Sequence, residues 1–399
     1  MTTNKLCSQD ELAMRHAMRR VHDEVMTPCY VVDDARLKYN LEILSSIREA
    51  TGAKILLAQK AFSMFHFYPL IAKYLDGTTA SGLYESRLGR EEFRGEVHVF
   101  EPAYRDDEFD EIAKTADHIV FNSIAQWKKY RDRALESGCV CGLRVNPEHS
   151  TQDTPIYDPC APGSRLGVRA SVLERELERD AHALDGITGL HMHTLCEQGA
   201  EPLYDTLKVF EEKLGAYLAK MKWVNLGGGH HITKDDYDRE LLKKCIRYMR
   251  GTYGVDVYLE PGEAVAYHAG DLVTTVLDIV ETDGVPAAVL DTSAACHMPD
   301  VIEMPYRPPL YGAGEPDELT YTYRLTGPTC LSGDIIGDYS FAERLHAGDR
   351  LVFSDMAIYS MVKNNTFNGM PLPSIIAVEN DKWRVVKKFG YEDFKERLS

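Results

Sequence analysis

Short apolar and β-branched runs recur along the first two-thirds of the chain, and segments with helical periodicity separate them. Runs of this length, bounded by turn residues, are typical of buried strands, and LYDTLKVFEEKLGAYLAKM at 203–221 is the clearest helical pattern. Eight strands that alternate with helices predict a parallel (β/α)₈ barrel of the TIM type. The predicted strands are KILLAQK ending at Lys60, GTTASG at 77–82, VHVFEP at 97–102, HIVFNS at 118–123, CGLRVNP at 141–147, GITGLHMH at 186–193, WVNLGGG at 223–229 and VDVYLEPG at 255–262.

The pattern changes after about residue 281, where apolar and polar positions alternate in short segments separated by turns. These segments are AAVLDTS, LTYTYRLTG, DRLVFSDMA, SIIAVEN and KWRVVKKF. Such alternation predicts a β-rich second domain. TPCYVVDDA at 27–35 also has a strand-like pattern, and we expect it to pair with the C-terminal sheet. The predicted domains are therefore a barrel at 40–280 and a β-rich domain formed by 1–39 and 281–399.

Composition narrows the class of protein. A chain of 399 residues, 44% of them hydrophobic, exceeds one ordinary domain and can bury a sizeable core. No apolar run approaches the ~20 residues that span a bilayer. The charged start of the chain, where SQDE at 8–11 matches a helix capping box, lacks the apolar segment of a signal peptide. Nine irregularly spaced cysteines predict reduced thiols in a cytoplasmic protein, and the net charge of −17 argues against a nucleic-acid partner.

Three consecutive glycines end the seventh predicted strand. In barrels of this type the functional groups lie at the carboxyl ends of the strands, and a phosphate site often follows strands seven and eight. Because glycine lets backbone N–H groups converge on an anion, Gly227, Gly228 and Gly229 predict a phosphate cradle. A tight turn is the alternative, but it explains one glycine well and three poorly.

Other chemically useful side chains close the remaining strands. Lys60 closes the first strand, Arg144 the fifth, His191 and His193 the sixth, and Glu260 the eighth. A lysine in this position either extends to solvent or has the lowered pKa of an amine that forms a Schiff base. A phosphate cradle, an amine, an acid and a flat imidazole at one barrel mouth match the needs of pyridoxal phosphate.

Five motifs, which together with Lys60 extend over most of the chain as far as Gly369, make a family resemblance specific. In this order they resemble the fold-type-III pyridoxal-phosphate decarboxylases, an alanine-racemase-like family that includes ornithine, arginine and diaminopimelate decarboxylases. Within this family the chain is most similar to the carboxynorspermidine decarboxylases. The motifs are GLHMHTLCE, NLGGGHHIT, EPGEA, GPTCLSGDIIGDY and FSDMAIYSMVKNNTFNG.

The resemblance implies roles for particular residues. Lys60 would hold pyridoxal 5'-phosphate covalently, His193 would stack on its ring, and Glu260 would pair with the ring nitrogen. Cys330, in GPTC, matches a cysteine that a partner subunit inserts into the site. This match implies a homodimer with shared active sites and a proton donor at Cys330. The remaining expected cofactor contacts are Arg144, Gly228, Gly229 and Tyr359.

Two departures from the family pattern bear on the substrate. Relatives commonly have an arginine after EPG where this chain has Glu263, and ornithine decarboxylases have an acid where it has Leu331. A carboxylate suits a cationic amine. The resemblance therefore implies decarboxylation of a carboxylated triamine, carboxynorspermidine or carboxyspermidine, to norspermidine or spermidine in polyamine biosynthesis. A buried cation needs an anionic partner, and the expected partners of the distal amine are Glu263, Asp300 and Asp334.

Three other interpretations stay open. A diaminopimelate or other amino-acid decarboxylase of the same fold is the nearest. A metal-dependent amidohydrolase also carries His-x-His on a barrel, but on the first strand rather than the sixth, and it leaves Lys60 and Glu260 without roles. A non-catalytic regulator is disfavoured because Lys60 and Cys330 are both present. We therefore expect no metal, and we expect His230 and His231 to be wall or turn residues.

Overall fold

The computed structural model describes residues 18–399, and the predicted capping box at 8–11 lies outside them. The described chain forms two compact units, one of residues 38–265 and the other of residues 18–37 with 266–399. The strands are β1 (Cys29–Asp33), β2 (Lys54–Ala58), β3 (Gly77–Ala80), β4 (Glu96–Phe100), β5 (His118–Phe121), β6 (Val140–Asn146), β7 (Val168–Arg169), β8 (Ile187–His191), β9 (Trp223–Asn225), β10 (Asp256–Leu259), β11 (Gly270–Val280), β12 (Ala287–Leu290), β13 (Tyr321–Thr326), β14 (Ile335–Phe341), β15 (Arg350–Phe353), β16 (Ser374–Glu379) and β17 (Lys382–Lys387).

Helices separate the strands along the chain. No helix within residues 18–399 is both long and apolar enough to cross a membrane. The α-helices are α1 (Asp34–Thr51), α2 (Tyr68–Ile71), α3 (Leu83–Leu88), α4 (Phe109–Thr115), α5 (Ile124–Glu136), α6 (Ala170–Arg179), α7 (Ala200–Leu218), α8 (Arg239–Tyr253), α9 (Glu263–Ala266), α10 (Ala294–His297), α11 (Asp300–Glu303), α12 (Ser360–Lys363) and α13 (Tyr391–Lys395).

The unit of residues 38–265 contains a closed barrel of eight parallel strands. Around the barrel the order is β2, β3, β4, β5, β6, β8, β9 and β10, and pairing between β10 and β2 completes the ring. The two-residue strand β7 pairs with the end of β6. Each of the eight predicted runs overlaps one barrel strand, so the predicted (β/α)₈ barrel is confirmed.

Side chains from several strands fill the barrel. Leu56, Val120, Trp223 and Tyr258 form one buried cluster, and Phe100 packs against it. Layers of this kind make the interior a packed core rather than a pore. Any ligand site of this unit therefore lies at the ends of the strands.

Local signals set the ends of the outer helices. Ser123 caps α5 by accepting a hydrogen bond from the Gln126 N–H, and Asp238 caps α8 by accepting one from the Leu241 N–H. Helix α8 ends at Gly254, whose left-handed backbone has φ of 67°. These caps end the helices where the chain must turn back toward the barrel.

The second unit contains a mixed sheet in the order β14, β13, β12, β11, β1, β16 and β17, with β15 also paired to β11. The predicted pairing of TPCYVVDDA is confirmed, because β1 lies parallel to β16 and antiparallel to β11. Each of the five predicted C-terminal segments contains a strand. Val31 of β1 joins Val21, Val25 and Ile376 in a buried apolar cluster on this sheet.

The structure divides the chain at a different place from the predicted boundary at residue 280. The prediction assigns β11 to the barrel, but β11 pairs with β1, β12 and β15 in the second sheet. The compact barrel unit ends at Val265. The prediction also omits strand β14, which pairs with β13. This strand covers the end of the motif GPTCLSGDIIGDY and the two residues after it. An apolar run predicts a strand but not the partner of that strand.

Candidate active site

The carboxyl ends of the parallel strands lie at one face of the barrel, and the loops that follow them carry the predicted site residues. Arg144 lies within β6, His191 ends β8, and Glu260 directly follows β10. Lys60 lies two residues beyond β2, and Gly227 lies two residues beyond β9. Hydrogen bonds join most of these residues into two groups, one around Glu260 and one around His193, which follows β8. Lys60 interacts with Arg144 and Glu260 through their charges.

Two donors on neighbouring strands hold the carboxylate of Glu260. Asn225 Nδ2 donates to Oε1 at 2.7 Å, and His191 Nε2 lies 3.2 Å from Oε2. Burial opposes ionisation of this carboxyl group, but the contacts with His191 and Asn225 outweigh burial and hold the pKa of Glu260 below its ordinary value. Glu260 is therefore an anion at neutral pH.

His191 itself is neutral. The residue is 2% exposed, and burial lowers the pKa of its imidazole although the charge of Glu260 opposes this change. The effect of burial prevails at so enclosed a position, so the ring stabilises Glu260 as an uncharged N–H donor rather than as a cation. Its Nδ1 is buried and has no hydrogen-bond partner within the described residues. The ring stacks on Phe100, with centroids 5.7 Å apart.

The ring of His193 is partly exposed, and one of its nitrogens is fixed by the glycine loop. Its Nδ1 accepts a hydrogen bond from the Gly228 N–H at 2.9 Å, so the neutral ring carries its proton on Nε2. Burial, with the charges of Lys60 and Arg144, keeps the pKa of His193 well below its ordinary value. Arg144 also donates to the backbone oxygen of His193 at 3.1 Å. These contacts orient a flat, uncharged imidazole at the barrel mouth.

Two cations at this face have lowered pKa values. Burial lowers the pKa of Arg144 to about 10, which leaves its guanidinium charged 4.5 Å above the Phe100 ring. Desolvation, followed by the charge of Arg144, lowers the pKa of Lys60. Protein atoms are dense around Lys60, yet its side chain remains accessible to water. The water weakens both the desolvation and the repulsion by Arg144, and it therefore reduces the lowering of the Lys60 pKa. The neutral, nucleophilic form of Lys60 is favoured relative to a fully solvated lysine.

Backbone packing explains all three glycines of the loop after β9. Gly227 and Gly229 have positive φ of 73° and 80°. A Cβ atom on Gly228 would lie 2.3 Å from the Glu260 backbone oxygen, and one on Gly229 would lie 2.0 Å from the Leu195 backbone oxygen. The tight-turn interpretation therefore accounts for three positions rather than one. The predicted phosphate cradle at Gly228 and Gly229 is compatible with this loop, but the glycines do not require it.

Glu263 lies beside a buried histidine. His231 Nδ1 is 3.8 Å from Glu263, and His231 Nε2 is 4.0 Å from Glu197. Burial, with Lys234 nearby, lowers the pKa of His231 to about 4, so a neutral imidazole lies between two carboxylates. One ligand atom from each of these three residues lies within 4.8 Å of the other two. The expectation that His231 is only a wall residue therefore omits its contacts with acids.

Another group of potential metal ligands lies at the opposite end of the barrel. Glu96 and His118 are the first residues of β4 and β5, and His98 is the third residue of β4. The two imidazole rings stack with centroids 3.9 Å apart and planes within 9°. Imidazole lone pairs lie in the ring plane, so two stacked rings cannot both direct a nitrogen at one ion. Glu96 also forms an ion pair with Lys54, and the group is better explained as packing.

Three glutamates near the ends of β3 and β4, absent from the predicted site, form a further acidic group. Glu85 and Glu108 line a cavity of about 220 Å³, and Glu85 also interacts electrostatically with Lys60. Burial, together with the charges of Glu108 and Glu85, raises the pKa of Glu101 to about 7. Oε1 of Glu101 is buried and has no partner in the described part of the chain. Glu101 directly follows β4, and this strand-end position was the signal that singled out Glu260.

In the second unit the structure argues against the predicted role of Asp334 as an amine ligand. Asp334 is 2% exposed, and both of its carboxylate oxygens accept hydrogen bonds from the chain. The carboxylate therefore organises the loop that contains Cys330. Its donors are the Ser293 hydroxyl at 2.8 Å, the Thr329 hydroxyl at 2.6 Å and the Ala295 N–H at 3.1 Å.

The other three predicted residues of this unit differ in their surroundings. Asp300 forms an ion pair with Lys363, which already neutralises its charge and argues against a role as the sole partner of an amine. Cys330 is exposed, and its N–H donates to Asn368 Oδ1 at 3.1 Å. Tyr359 has a positive φ of 57° at the start of α12, a conformation that costs about 1–3 kcal/mol in a non-glycine residue.

A parallel barrel that carries an amine, an acid and a neutral imidazole at its mouth, with a separate mixed sheet, defines a class of protein. The family model described as "Pyridoxal-dependent decarboxylase, C-terminal sheet domain" matches residues 29–357. The chain belongs to this family, so the predicted decarboxylase is confirmed. Membership also disfavours the amidohydrolase interpretation.

Particular relatives lie within this class. The chain is 42% identical to a carboxynorspermidine/carboxyspermidine decarboxylase of Campylobacter jejuni, over 94% of this chain and 99% of the relative. It is also 42% identical to a carboxyaminopropylagmatine decarboxylase of Synechocystis sp., over 93% and 95% of the two chains. The crystal structure of the Campylobacter jejuni carboxynorspermidine decarboxylase complexed with norspermidine matches with a TM-score of 0.85 at 41% identity, over 94% of this chain and 100% of that chain. Diaminopimelate decarboxylases such as those of Archaeoglobus fulgidus and Zymomonas mobilis are more distant, at 25% and 23% identity.

Proposed function

We propose that this protein decarboxylates a carboxylated polyamine, carboxynorspermidine or carboxyspermidine, and releases norspermidine or spermidine. The observation that carries the proposal is the 42% identity with a decarboxylase named for these substrates, over 94% of this chain. The equal identity with a carboxyaminopropylagmatine decarboxylase widens the class to carboxylated amines that carry a cation at the far end.

The residues at the barrel mouth fit pyridoxal 5'-phosphate. Glu260 is an anion held by the uncharged donors Asn225 and His191, so its charge is available to a protonated ring nitrogen. Lys60 provides an accessible amine of lowered pKa. His193 provides a flat ring without charge, fixed by the glycine loop. These donor types meet the needs of the cofactor for an amine, an acid and a stacking face.

Bound pyridoxal 5'-phosphate supplies an electron sink for the pair that remains when CO₂ leaves. Lys60 would hold the cofactor covalently in the absence of substrate, and its lowered pKa increases the neutral, nucleophilic fraction of the amine. The negative charge of Glu260 would favour a protonated ring nitrogen on the bound cofactor, which a neutral residue at this position would not do. His193 keeps its own proton on Nε2, and its flat, neutral ring would provide the stacking face for the cofactor.

We place the protein in the cytoplasm as a homodimer in which Cys330 of the partner subunit completes each site. Cys330 is exposed, and its loop is held by Asn368 and by the buried Asp334. An exposed thiol on an ordered loop is suited to return a proton to the carbon from which CO₂ departs. In this arrangement Tyr359 would contact the cofactor, as the family resemblance implies.

The glutamates near the ends of β3 and β4 are suited to the distal ammonium groups of the substrate. Glu101 has a raised pKa because burial and its acidic neighbours Glu85 and Glu108 disfavour another negative charge. A bound ammonium would reverse this effect and favour the ionised form. Glu263, beside Glu197 and His231, is the second acidic position that we propose for an amine.

The function is tested with purified protein and added pyridoxal 5'-phosphate. Equal concentrations of carboxynorspermidine, carboxyspermidine, carboxyaminopropylagmatine and meso-diaminopimelate are assayed side by side for CO₂ release, and the amine product is identified by mass spectrometry. The Lys60→Ala variant serves as the inactive control. We expect kcat/KM to be highest for one of the two carboxylated triamines.

Each other outcome has a clear meaning. A higher kcat/KM for carboxyaminopropylagmatine would keep the reaction but replace the triamine by a guanidinium-bearing substrate. A higher kcat/KM for diaminopimelate would overturn the proposed substrate class. Two homologous triamines that differ by one methylene should be discriminated by only about 1–3 kcal/mol, so comparable rates on both agree with the proposal.

A further inference from the structure

Asn225, the last residue of β9, joins two parts of the candidate site through one side chain. Its Nδ2 donates to Glu260 Oε1 at 2.7 Å, and its Oδ1 accepts a hydrogen bond from the Gly227 N–H at 2.8 Å. The residue is fully buried, at 0% exposure. A single amide therefore holds the carboxylate of Glu260 in position relative to the glycine loop.

The chemistry of these contacts restricts the residue at position 225. The side chain must donate to a carboxylate and accept from a backbone N–H at the same time, and an amide has both groups in one plane. An aspartate can accept from Gly227 but has no proton to donate to Glu260 unless it takes one up. An alanine leaves the Gly227 N–H without this acceptor and removes one of the donors to Glu260.

The same contacts set the charge of the acid. Glu260 is 12% exposed and lies between two donors, Asn225 and the neutral ring of His191. Hydrogen bonds from uncharged donors stabilise a carboxylate without cancelling its charge, as a lysine or arginine partner would. The negative charge of Glu260 therefore remains available to a ligand at the barrel mouth.

We propose that Asn225 is a positioning residue, which holds Glu260 ionised and aligned with the glycine loop so that the acid can pair with the ring nitrogen of the cofactor. This inference rests on the proposed use of pyridoxal 5'-phosphate. It adds a residue that acts through Glu260 and does not itself touch the reacting atoms.

The test exchanges donor and acceptor between the two side chains. Asn225→Asp puts a carboxylate oxygen in the place of the Nδ2 atom that lies 2.7 Å from Glu260 Oε1, so the pair of carboxyl groups should bind a proton at neutral pH. The double variant Asn225→Asp with Glu260→Gln can form all three hydrogen bonds again, and only the bond between positions 225 and 260 is reversed. The new amide at position 260 would donate to the new carboxylate at position 225 and accept from His191, while the carboxylate at position 225 would still accept from the Gly227 N–H. Its net charge equals that of the parent, but the charge has moved to position 225.

Two measurements are made on the full-length chain. The first is the dissociation constant of pyridoxal 5'-phosphate, obtained by absorbance titration of cofactor-free protein between pH 6 and 9. The second is the Tm of the cofactor-free protein over the same range. Asn40→Asp is the matched control, since Asn40 is also buried and donates to a backbone oxygen, that of Val265, from a helix outside the strand-end group.

For Asn225→Asp we expect cofactor affinity to fall by about tenfold or more at neutral pH and to depend on pH in a way that neither the parent nor Asn40→Asp shows. For the double variant we expect the Tm to return toward that of the parent while cofactor affinity stays low. This separation distinguishes control of the charge on Glu260 from simple support of the fold.

Two results would overturn the inference. One is parental cofactor affinity and pH dependence in Asn225→Asp, and the other is recovery of affinity together with Tm in the double variant. Cofactor titration needs no substrate, so a failure of the proposed substrate class in the turnover assay would leave this result standing. The affinity of the parent protein for pyridoxal 5'-phosphate is the reference for Asn225→Asp and for the double variant.

Discussion

Gly229→Ala should destabilise the protein even when no cofactor is bound. The backbone of Gly229 has φ of 80°, where residues with a side chain are strained. A Cβ atom at this position would lie 2.0 Å from the Leu195 oxygen, 2.4 Å from the Leu195 carbonyl carbon and 3.0 Å from the Cys196 nitrogen. All three contacts are with backbone, so relief requires the loop after β8 or the loop after β9 to move.

The magnitude follows from these two effects. Overpacking of a close-packed site costs typically about 1–3 kcal/mol, and a non-glycine residue in a sparsely populated backbone region costs about 1–3 kcal/mol. Together they predict a loss of about 2–6 kcal/mol in the free energy of unfolding. For a unit of this size each kcal/mol corresponds to roughly 2–4 °C, so the Tm should fall by roughly 4–24 °C.

The assay is thermal unfolding of the cofactor-free, full-length chain, followed by circular dichroism or calorimetry. Gly251→Ala is the matched control, since Gly251 lies within α8 and a Cβ atom there would have no neighbour within 4 Å. Alanine in an exposed helix should stabilise by about 0.5–1 kcal/mol relative to glycine. The same substitution should therefore change the Tm in opposite directions at the two positions.

A parental Tm for cofactor-free Gly229→Ala, combined with a large loss of pyridoxal 5'-phosphate affinity, would refute the packing argument. In that case the glycine would serve to keep space for a phosphate, as the sequence alone suggested, and the 2.0 Å contact with Leu195 would have to be relieved without cost.

Three further predictions test the site. Lys60→Ala should remove the visible absorbance of the lysine-bound cofactor and reduce turnover by roughly 10²–10⁴-fold or more, and an unchanged spectrum would contradict its role. If sites are shared, mixing inactive Lys60→Ala chains with inactive Cys330→Ala chains should restore about a quarter of the parental activity. Half of the dimers would then be mixed, and each mixed dimer would have one intact site out of two. No recovery after verified subunit exchange would count against shared sites. Because the folded pKa of Glu101 is raised from 4.5 to about 7, the proton that stabilises the fold is lost as pH rises through this window. The Tm of the parent should therefore fall relative to that of Glu101→Gln between about pH 4.5 and pH 7, and parallel curves would show that the buried charge has no such effect.

Much of the fold could be predicted from local pattern. Strands of a parallel barrel are buried on both faces and read as short apolar runs, which is why all eight barrel strands were found. The run at 270–280 has the same appearance, and only its pairing with β1 assigns β11 to the other sheet. Strand β14 was missed because IIGDYSF interrupts its apolar positions with Gly337 and Asp338.

The candidate site was predictable to the extent that its members end strands. Lys60, Glu260 and the two histidines at the end of β8 and just after it were found in this way. Asn225 was not found, because an asparagine near glycine at the end of an apolar run reads as an ordinary turn residue. Its importance comes from a contact with Glu260, which lies 35 residues further along the chain.

The sequence by itself determined which segments become strands and helices, the order in which they alternate, and the family to which the chain belongs. These properties depend on the identity and spacing of nearby residues, which the chain carries whether or not it is folded. Only the tertiary structure decided which strands pair, where the barrel unit ends, and which polar groups meet. The neutral state of His191, the anionic state of Glu260 and the raised pKa of Glu101 exist because folding removes water from side chains that are distant in sequence and places specific donors or acids beside them.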